Sequence, residues 1–520
     1  MRKFWKKYHK WVGLVFSFFI LVFCFSGIIL NHREAFSNCG VGRGWLPKDY
    51  HYENWNNGII EGTFPIHDKV LCYGNAGVWK TDSCFSYFES YNEGIRKGID
   101  HRKISNIVQM PDSSIWCAGL YDLYRLDQTS DQWEVWPVGE NKERITDLTS
   151  KGDSLVVMTR SHIFVATGTP DATDSASVQT DRYTQFVQHE LKAVEGYEAK
   201  VSLFRTFWLL HSGEMFGLPG KLFVDLMALV LIFLCITGII YFFWPDRIKR
   251  RRKNNKNTQG DLKTFKFTSK WHNKIGIWLF VPTLFLAVTG MCLRPPLMIP
   301  LVMSEVKPIP GSALDSDNPW NDKFRGMRWD EHNKMWILST SEGFHSVTDF
   351  DAVPVKMAGA PGVSPMGINV FDQTPEGEWL IGSFSGLFRW NIAEGKVVDY
   401  FTDEPIQRSF GPPVASIAVS GFSNDLTFAD ELVFDYGTGV MTKDNPSIQT
   451  VPMPEEMVRQ PLSLWNFALE LHVGRCYYPL LGPFSSLFVF LSGLLLSLLL
   501  ISGFIIRHKT KKKKPIKKEA

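Results

Sequence analysis

The sequence has almost no net charge, since 56 Lys and Arg against 53 Asp and Glu leave +3 over 520 residues, and that balance by itself says little about partners. It lacks a Cys-x-x-Cys-His run, which argues against covalent attachment of a c-type haem. There is no Walker loop, no His-Glu-x-x-His, no Gly-x-Ser-x-Gly and no clear dinucleotide fingerprint, so the common nucleotide, metalloprotease and serine-hydrolase chemistries have no visible machinery. Any redox chemistry would therefore need an external electron donor. Cysteine is sparse: there are eight, with Cys39, Cys72, Cys84 and Cys117 in one stretch and none between residues 297 and 465. An even number in an oxidising compartment permits disulfides without fixing their pairing. The first apolar run lacks the small-residue cleavage site of a secretory signal.

What the chain does have is four long apolar runs, Val12 to Leu30, Leu222 to Phe243, Ile275 to Leu293 and Phe484 to Ile506. Each approaches the roughly 20 residues that a helix needs to cross a bilayer. The basic residues bunch beside these runs, as "MRKFWKKYHK" at the start, "PDRIKRRRKNNKN" at 245–257 and "RHKTKKKKPIKK" at 507–518. They read as juxtamembrane charge and not as a nucleic-acid surface, and the positive-inside rule places all three in the cytoplasm.

The expected fold is a membrane protein with four transmembrane α-helices from a tandem duplication and two all-β extracytoplasmic segments. Its expected setting is the bacterial inner membrane, with both termini cytoplasmic, two large periplasmic segments and lipid as the first partner. The reading divides the chain into a first transmembrane helix (1–32) and a first β segment (33–200). A periplasmic helix plus second transmembrane helix (201–245), a basic cytoplasmic loop (246–270) and a third transmembrane helix (271–296) follow. A second β segment (297–462), a periplasmic helix plus fourth transmembrane helix (463–507) and a basic tail (508–520) complete it.

The duplication is legible in the spans. "HKWVGLVFSFFILVFCFSGIIL" from His9 matches "HNKIGIWLFVPTLFLAVTGMCL" from His272, and "LHSGEMFGLPGKLF" around His211 matches "LHVGRCYYPLLGPFSSLF" around His472. The far ends repeat as well, with Ser26-Gly27, Thr237-Gly238, Thr289-Gly290 and Ser502-Gly503.

A shorter repeat runs through the β segments, at "LCYGNAGVWKTD", "WCAGLYDLYRLD" and "VMTRSHIFVAT" in the first and "LSTSEGFHSVT", "IGSFSGLFRWN" and "FDYGTGVMTKD" in the second. Three strand-turn-strand units per segment at propeller spacing predict a six-bladed β-propeller-like domain, or else two independent β-rich domains that share hairpin chemistry. Residues 167–185, rich in Thr, Ser and Asp, read as a linker.

A six-coordinate haem b needs two neutral imidazoles facing each other from different helices. The duplication supplies candidates at matched depth, His9 with His272 and His211 with His472, for probably two haems. A single His at a membrane boundary is more often an interfacial anchor; four at matched positions are harder to dismiss. Gly13 and Gly276, four residues after His9 and His272, share their helix face and leave room for a flat macrocycle. Lys6, Lys10, Lys274, Arg205 and Arg475 are candidate partners for its propionates, and His32 and His508 are second-choice ligands. Asp225, early in the second span, is a carboxylate in a costly place. No other residue is marked out as catalytic.

The spans resemble the PepSY-associated transmembrane-helix family, which includes iron-regulated inner-membrane proteins and ferric-siderophore reductases. The His-x-x-x-Gly opening and the later Leu-His with Thr-Gly carry the likeness, over about 130 residues confined to the spans. The resemblance implies a haem-b oxidoreductase moving electrons across the inner membrane, in some members to ferric siderophores, with His9, His211, His272 and His472 as ligands. The β segments depart from that family, whose members usually carry small α/β domains there. The donor stays open between a quinol and a cytoplasmic flavoprotein. A membrane receptor or scaffold that binds a periplasmic partner without catalysis is the alternative function.

Overall fold

The structure is a computed structural model that describes residues 2–139, 142–168, 183–364, 366–406, 414–427, 429–446, 448 and 450–511, and side chains between residues 3 and 507. Most of the expected linker, the end of the basic tail and the His508 side chain lie outside these. The chain forms two compact units, one of residues 1–36, 199–315 and 464–520 and the other of residues 37–198 and 316–463.

The first unit is helical. Its elements are α1 (Arg2–Asn31), α2 (Leu203–Ser212), α3 (Gly217–Lys253), α4 (Gln259–Trp278), α5 (Phe280–Cys292) and α6 (Met298–Val302); after α7 (Glu455–Val458) of the other unit come α8 (Leu464–His472), α9 (Tyr478–Leu481) and α10 (Ser485–Lys511). Among the described residues three helical stretches are long and apolar enough to cross a membrane, residues 3–31, 214–253 and 475–507. The fourth apolar run is divided: α4 and α5 meet at a 67° bend. Pro282 explains the position of the break, because its nitrogen has no hydrogen to give to the carbonyl of Trp278.

The expected cytoplasmic loop at 246–270 is mostly helix. α3 continues past Pro245 to Lys253 and α4 begins at Gln259. Four basic residues in the last turn of α3 suit the negative end of its dipole. Asp261 in the first turn of α4 receives Arg247 at 3.0 Å and Arg251 at 3.1 Å, tying the two ends together.

Where α1, α3 and α10 meet, Phe16, Ile20, Cys24, Leu231, Ile232, Cys235 and Leu499 form a buried apolar cluster. All eight cysteines are free thiols, so the permitted disulfides do not form.

The second unit is built from antiparallel meanders, each an open sheet. Five have four strands, beginning at Gly62, Asn106, Ile145, Phe324 and Val370, and a sixth of three strands begins at Val419. All six hairpins singled out by repeat fall on the second and third strands of a meander.

The second strands explain why such runs as "LVVM" and "MWIL" are apolar throughout. Alternate residues point to opposite faces, and both faces are covered. Leu155 and Val157 join a cluster with Trp116 and Leu123 of the preceding meander, while Val156 and Met158 join one with Met327 and Trp336 of the next. The same division recurs at Trp379, Leu380 and Ile381. Leu432 and Phe434 of the sixth meander share a cluster with Val70 and Cys72 of the first. Trp55, Trp79, Trp116 and Trp390 are essentially inaccessible, and each such ring contributes on the order of 2–3 kcal/mol of burial.

The first strands carry the polar side chains of the unit. Arg328 pairs with Asp147, and Tyr73 donates to Asn106 at 3.1 Å. Asp372 reaches solvent yet is ringed by protein, which pushes its carboxyl above the usual carboxylate range; Arg328 opposes the shift, and Asp147 and Asp425 add to it. A carboxyl raised in this way lowers stability as pH climbs past its unfolded value and has no effect below that value, where both states hold the proton. Asp372→Asn is therefore expected to raise the melting temperature of this unit at pH 7. Followed by near-UV circular dichroism, the gain should vanish in acid below the ordinary carboxylate range.

Candidate cofactor site

The site begins with two short helices that double back. α2 starts at Ser202, whose hydroxyl accepts from the Arg205 backbone N–H at 3.1 Å, and it ends at Gly213 with φ 82°. α8 is followed by Gly474 with φ 86°. A side chain is disfavoured at such angles, so glycine allows the reversal. Gly213 also lies so close to Gly220 that a Cβ on it would sit 2.2 Å from the Gly220 carbonyl oxygen. The path turns again at Gly217 and, in the other half, at Gly482, with φ 59° and 54°. In each half the histidine, His211 or His472, stands two residues before the left-handed glycine.

Folded back in this way, the four histidines meet in two pairs. His9 on α1 faces His272 on α4 with ring centroids 6.3 Å apart and planes at 74°. His211 on α2 faces His472 on α8 at 6.1 Å and 53°. In every ring Nδ1 lies against a hydroxyl: His9 with Ser502 at 2.9 Å, His272 with Thr237 at 2.9 Å, His211 with Thr289 at 3.1 Å and His472 with Ser26 at 2.9 Å. The carbonyls of Leu499 and Leu286 lie 3.2 and 3.1 Å from Nδ1 of His9 and His211.

The spacing fits a shared metal. Two metal–imidazole bonds of about 2.0 Å, with about 1.1 Å from each ring centre to its nitrogen, put the centroids of a linear pair about 6.2 Å apart. Ordinary ring contacts also span about 4.5–7 Å, so what sets these two pairs apart is their place at matched positions of the repeat together with the hydroxyl against every Nδ1. Among the described residues no group of three or more His, Cys, Asp or Glu converges as a bare-ion site.

Two further features suit a bulky group with carboxylates. The hydroxyl of Tyr8, next to His9, and the indole N–H of Trp244, two turns beyond Thr237 on α3, are buried donors without an acceptor among the described residues. Beside Ser26 an apolar cleft of about 350 Å³ runs between α1 and α8, lined by Phe18, Phe25, Phe467 and Leu471.

The other candidates lie elsewhere. Gly13 and Gly276 face Leu499 and Leu234, each 3.8 Å from a would-be Cβ, and neither abuts an imidazole. His32 is engaged by Asp225, Nε2 to Oδ2 at 2.6 Å, and Asn31 donates to the other oxygen at 3.1 Å. That pairing accounts for both the costly carboxylate and the spare histidine.

Arg475 binds Glu470, Arg205 lies over Trp208, Lys10 over Phe242 and Lys274 over Trp278, and Lys6 is exposed. Sequence reasoning missed Arg294, which donates Nε at 3.2 Å to the carbonyl of Val473, beside His472. Its signal was a lone cation at the end of the third apolar run. The Ser/Thr-Gly pairs were visible as a repeat with no role attached.

A family model described as the PepSY-associated TM region matches residues 126–509, more than half of the chain, and extends well beyond the spans on which the resemblance rested. No curated protein matches. Solved structures with some likeness include the extracellular domain assigned to one component system BT4673 from B. thetaiotaomicron, at 9% identity and TM-score 0.36, covering 76% of this chain and 42% of that one. Another is the extracellular domain assigned to hybrid two component system BT3049 from B. thetaiotaomicron, at 10% identity and TM-score 0.32, covering 74% of this chain and 39% of that one. The chain thus spans about two fifths of the length of those it resembles, and likeness at this level bears on neither fold nor function.

Proposed function

The chain belongs to the PepSY-associated TM region family, and on that footing we propose that it is a membrane haem-b protein that carries electrons across the bilayer between its two histidine pairs. The observation that carries this reading is the pair of imidazole separations, 6.3 and 6.1 Å, at matched positions of a duplicated unit. A haem held by each pair would supply reversible one-electron chemistry.

The protein's own part is to hold and insulate. The apolar cluster of α1, α3 and α10 keeps water from between the pairs. Tyr8 and Trp244 offer donors for carboxylates near the first pair. From His9 to Ser26, which touches His472, α1 covers 17 residues, about 26 Å of helix, close to the ~30 Å hydrocarbon core. That length supports reading one pair near each face of the membrane.

We take the bent α4 and α5 as the fourth span and read both termini as cytoplasmic in a bacterial inner membrane, a reading the basic clusters support. We read the six meanders as blades of a propeller, supported by apolar clusters that link each to the next and the sixth to the first. The acceptor on that side is proposed as a ferric chelate, on the family resemblance alone, with a quinol or a cytoplasmic flavoprotein as donor.

Protein purified from haem-replete cells should show reducible b-type bands with about two haems per chain. A colourless preparation would overturn the proposal and favour a receptor or scaffold.

A further inference from the structure

We propose that Ser26, Thr237, Thr289 and Ser502 are positioning residues that set the tautomer of the four imidazoles, each acting on a histidine of the opposite half of the chain. The inference deepens the haem reading and rests on it for its consequence, though not for its geometry.

A hydroxyl has one proton to donate. Here that proton is committed within the helix: Ser26 donates to the Val22 carbonyl at 2.7 Å, Thr237 to Phe233 at 2.7 Å, Thr289 to Phe285 at 3.0 Å and Ser502 to Leu499 at 2.7 Å. The oxygen is left only as an acceptor, so each contact with Nδ1 runs from Nδ1–H to the hydroxyl. In a neutral imidazole that leaves Nε2 with its lone pair bare. The tautomer is thus assigned from the hydrogen-bond network. Nε2 makes no hydrogen bond in any of the four rings among the described contacts, whereas Nε2 of His32 is held by Asp225. The four residues differ from His32 in being prepared as metal ligands.

The glycine that follows each hydroxyl completes the clamp. A Cβ at Gly290 would lie 2.8 Å from Cε1 of His211, one at Gly503 3.1 Å from His9, one at Gly27 3.4 Å from His472 and one at Gly238 3.5 Å from His272. The hydroxyl fixes the nitrogen, and the missing side chain lets the ring close on the helix.

The clamps cross the duplication. His9 and His211 of the first half rest on Ser502 and Thr289 of the second, and His272 and His472 of the second rest on Thr237 and Ser26 of the first. Neither half holds its own ligands. α1 therefore carries a ligand of the first pair and the clamp of the second.

A role confined to helix stability would lower the melting temperature without reference to site, whereas loss of an orienting partner weakens metal-site affinity by about 10–100-fold. The test is haem titration of the full apo-protein with reduction potentials resolved for the two sites. Ser26→Ala should weaken haem at the second pair by that factor and shift its potential, leaving the first pair unchanged. Ser502→Ala should do the reverse, and Ser26→Thr should restore wild-type behaviour. Alanine at Gly290 should be more damaging than at Gly238. Equal affinities and potentials for Ser26→Ala and wild type overturn the inference while leaving two bound haems intact.

If the wild type takes up no haem, the haem reading fails separately. The tautomers are then read by ¹⁵N NMR of the histidine-labelled protein. Nδ1-protonated rings at all four positions, with His472 alone altered by Ser26→Ala, support the inference; Nε2-protonated rings overturn it.

Discussion

His472→Ala is expected to halve the haem content of the purified protein, from about two per chain to about one, and to abolish electron transfer across the membrane. His9→Ala should have the same effect on content through the other pair. Each pair brings imidazoles of two different helices to centroid distances of 6.3 and 6.1 Å, and among the described residues no group of three or more His, Cys, Asp or Glu converges there. His32 is the nearest alternative in sequence, but Asp225 and Asn31 hold it in place. His32→Ala is accordingly the control and should retain both haems. If the proposed route passes through both centres in series, loss of either stops transfer completely. Haem extracted and counted per chain measures the first effect, and reduction of an external acceptor by vesicle-enclosed protein measures the second. Unchanged haem in His472→Ala, with the circular dichroism spectrum intact, would sink the assignment.

The pairing of these histidines was legible because duplication acts as an internal control. A lone "YHKWVGL" is an interfacial anchor as readily as a ligand, but the offset between His9 and His272 nearly equals that between His211 and His472. Residues related by such a repeat come to equivalent depths if the two halves pack about a common axis. What the sequence could not convey was direction. The hydroxyl against each histidine comes from the other half of the chain, 35 residues away for His272 and 493 for His9, and no local period reports which hydroxyl will face which ring.

The path of the backbone was likewise hidden at α2 and α8. Gly213 and Gly474 turn the chain there through left-handed angles, and Gly217, φ 59°, turns it again before Pro219 is tolerated in the first turn of α3. The loop at 246–270 was misjudged for a related reason. Its charge marks the membrane boundary, but Arg, Lys and Asp are adequate helix formers, and nothing in that composition halts α3. In the second unit the six hairpins were visible from their glycine turns and apolar strands. The first strand of each meander was not, since polar residues such as Asn106, Asp147 and Arg328 hide its periodicity.

Those polar first strands carry the second large effect. Arg328→Met should destabilise the β unit by about 3–5 kcal/mol, the usual cost of leaving one member of a buried ion pair without its partner. Arg328 donates to Asp147, to the Met327 carbonyl at 2.7 Å and, through Nε, to the Phe371 carbonyl at 3.0 Å. It thereby joins the third, fourth and fifth meanders. Asp147 is buried, accepting also from the backbone N–H groups of Met327 at 2.8 Å and Leu148 at 2.9 Å. With the guanidinium gone, its charge keeps those two donors and a long contact from the Asn106 amide at 3.5 Å, but no cation. Arg328→Lys should recover little, because an ammonium cannot serve the carboxylate and two carbonyls with one planar fork. Arg328→Met with Asp147→Asn should recover most of the loss, since the buried charge is then absent. Denaturant unfolding of the full chain in detergent, followed by near-UV circular dichroism from the buried tryptophans, measures each step. A double variant no more stable than Arg328→Met alone would mean that the lost links to Met327 and Phe371, and not the charge on Asp147, hold the sheets together. The visible haem bands provide an independent reading in the same experiment. The imidazole pairs and their clamps draw on no residue of the β unit, so the bands should survive denaturant concentrations at which the variant's tryptophan signal has already collapsed.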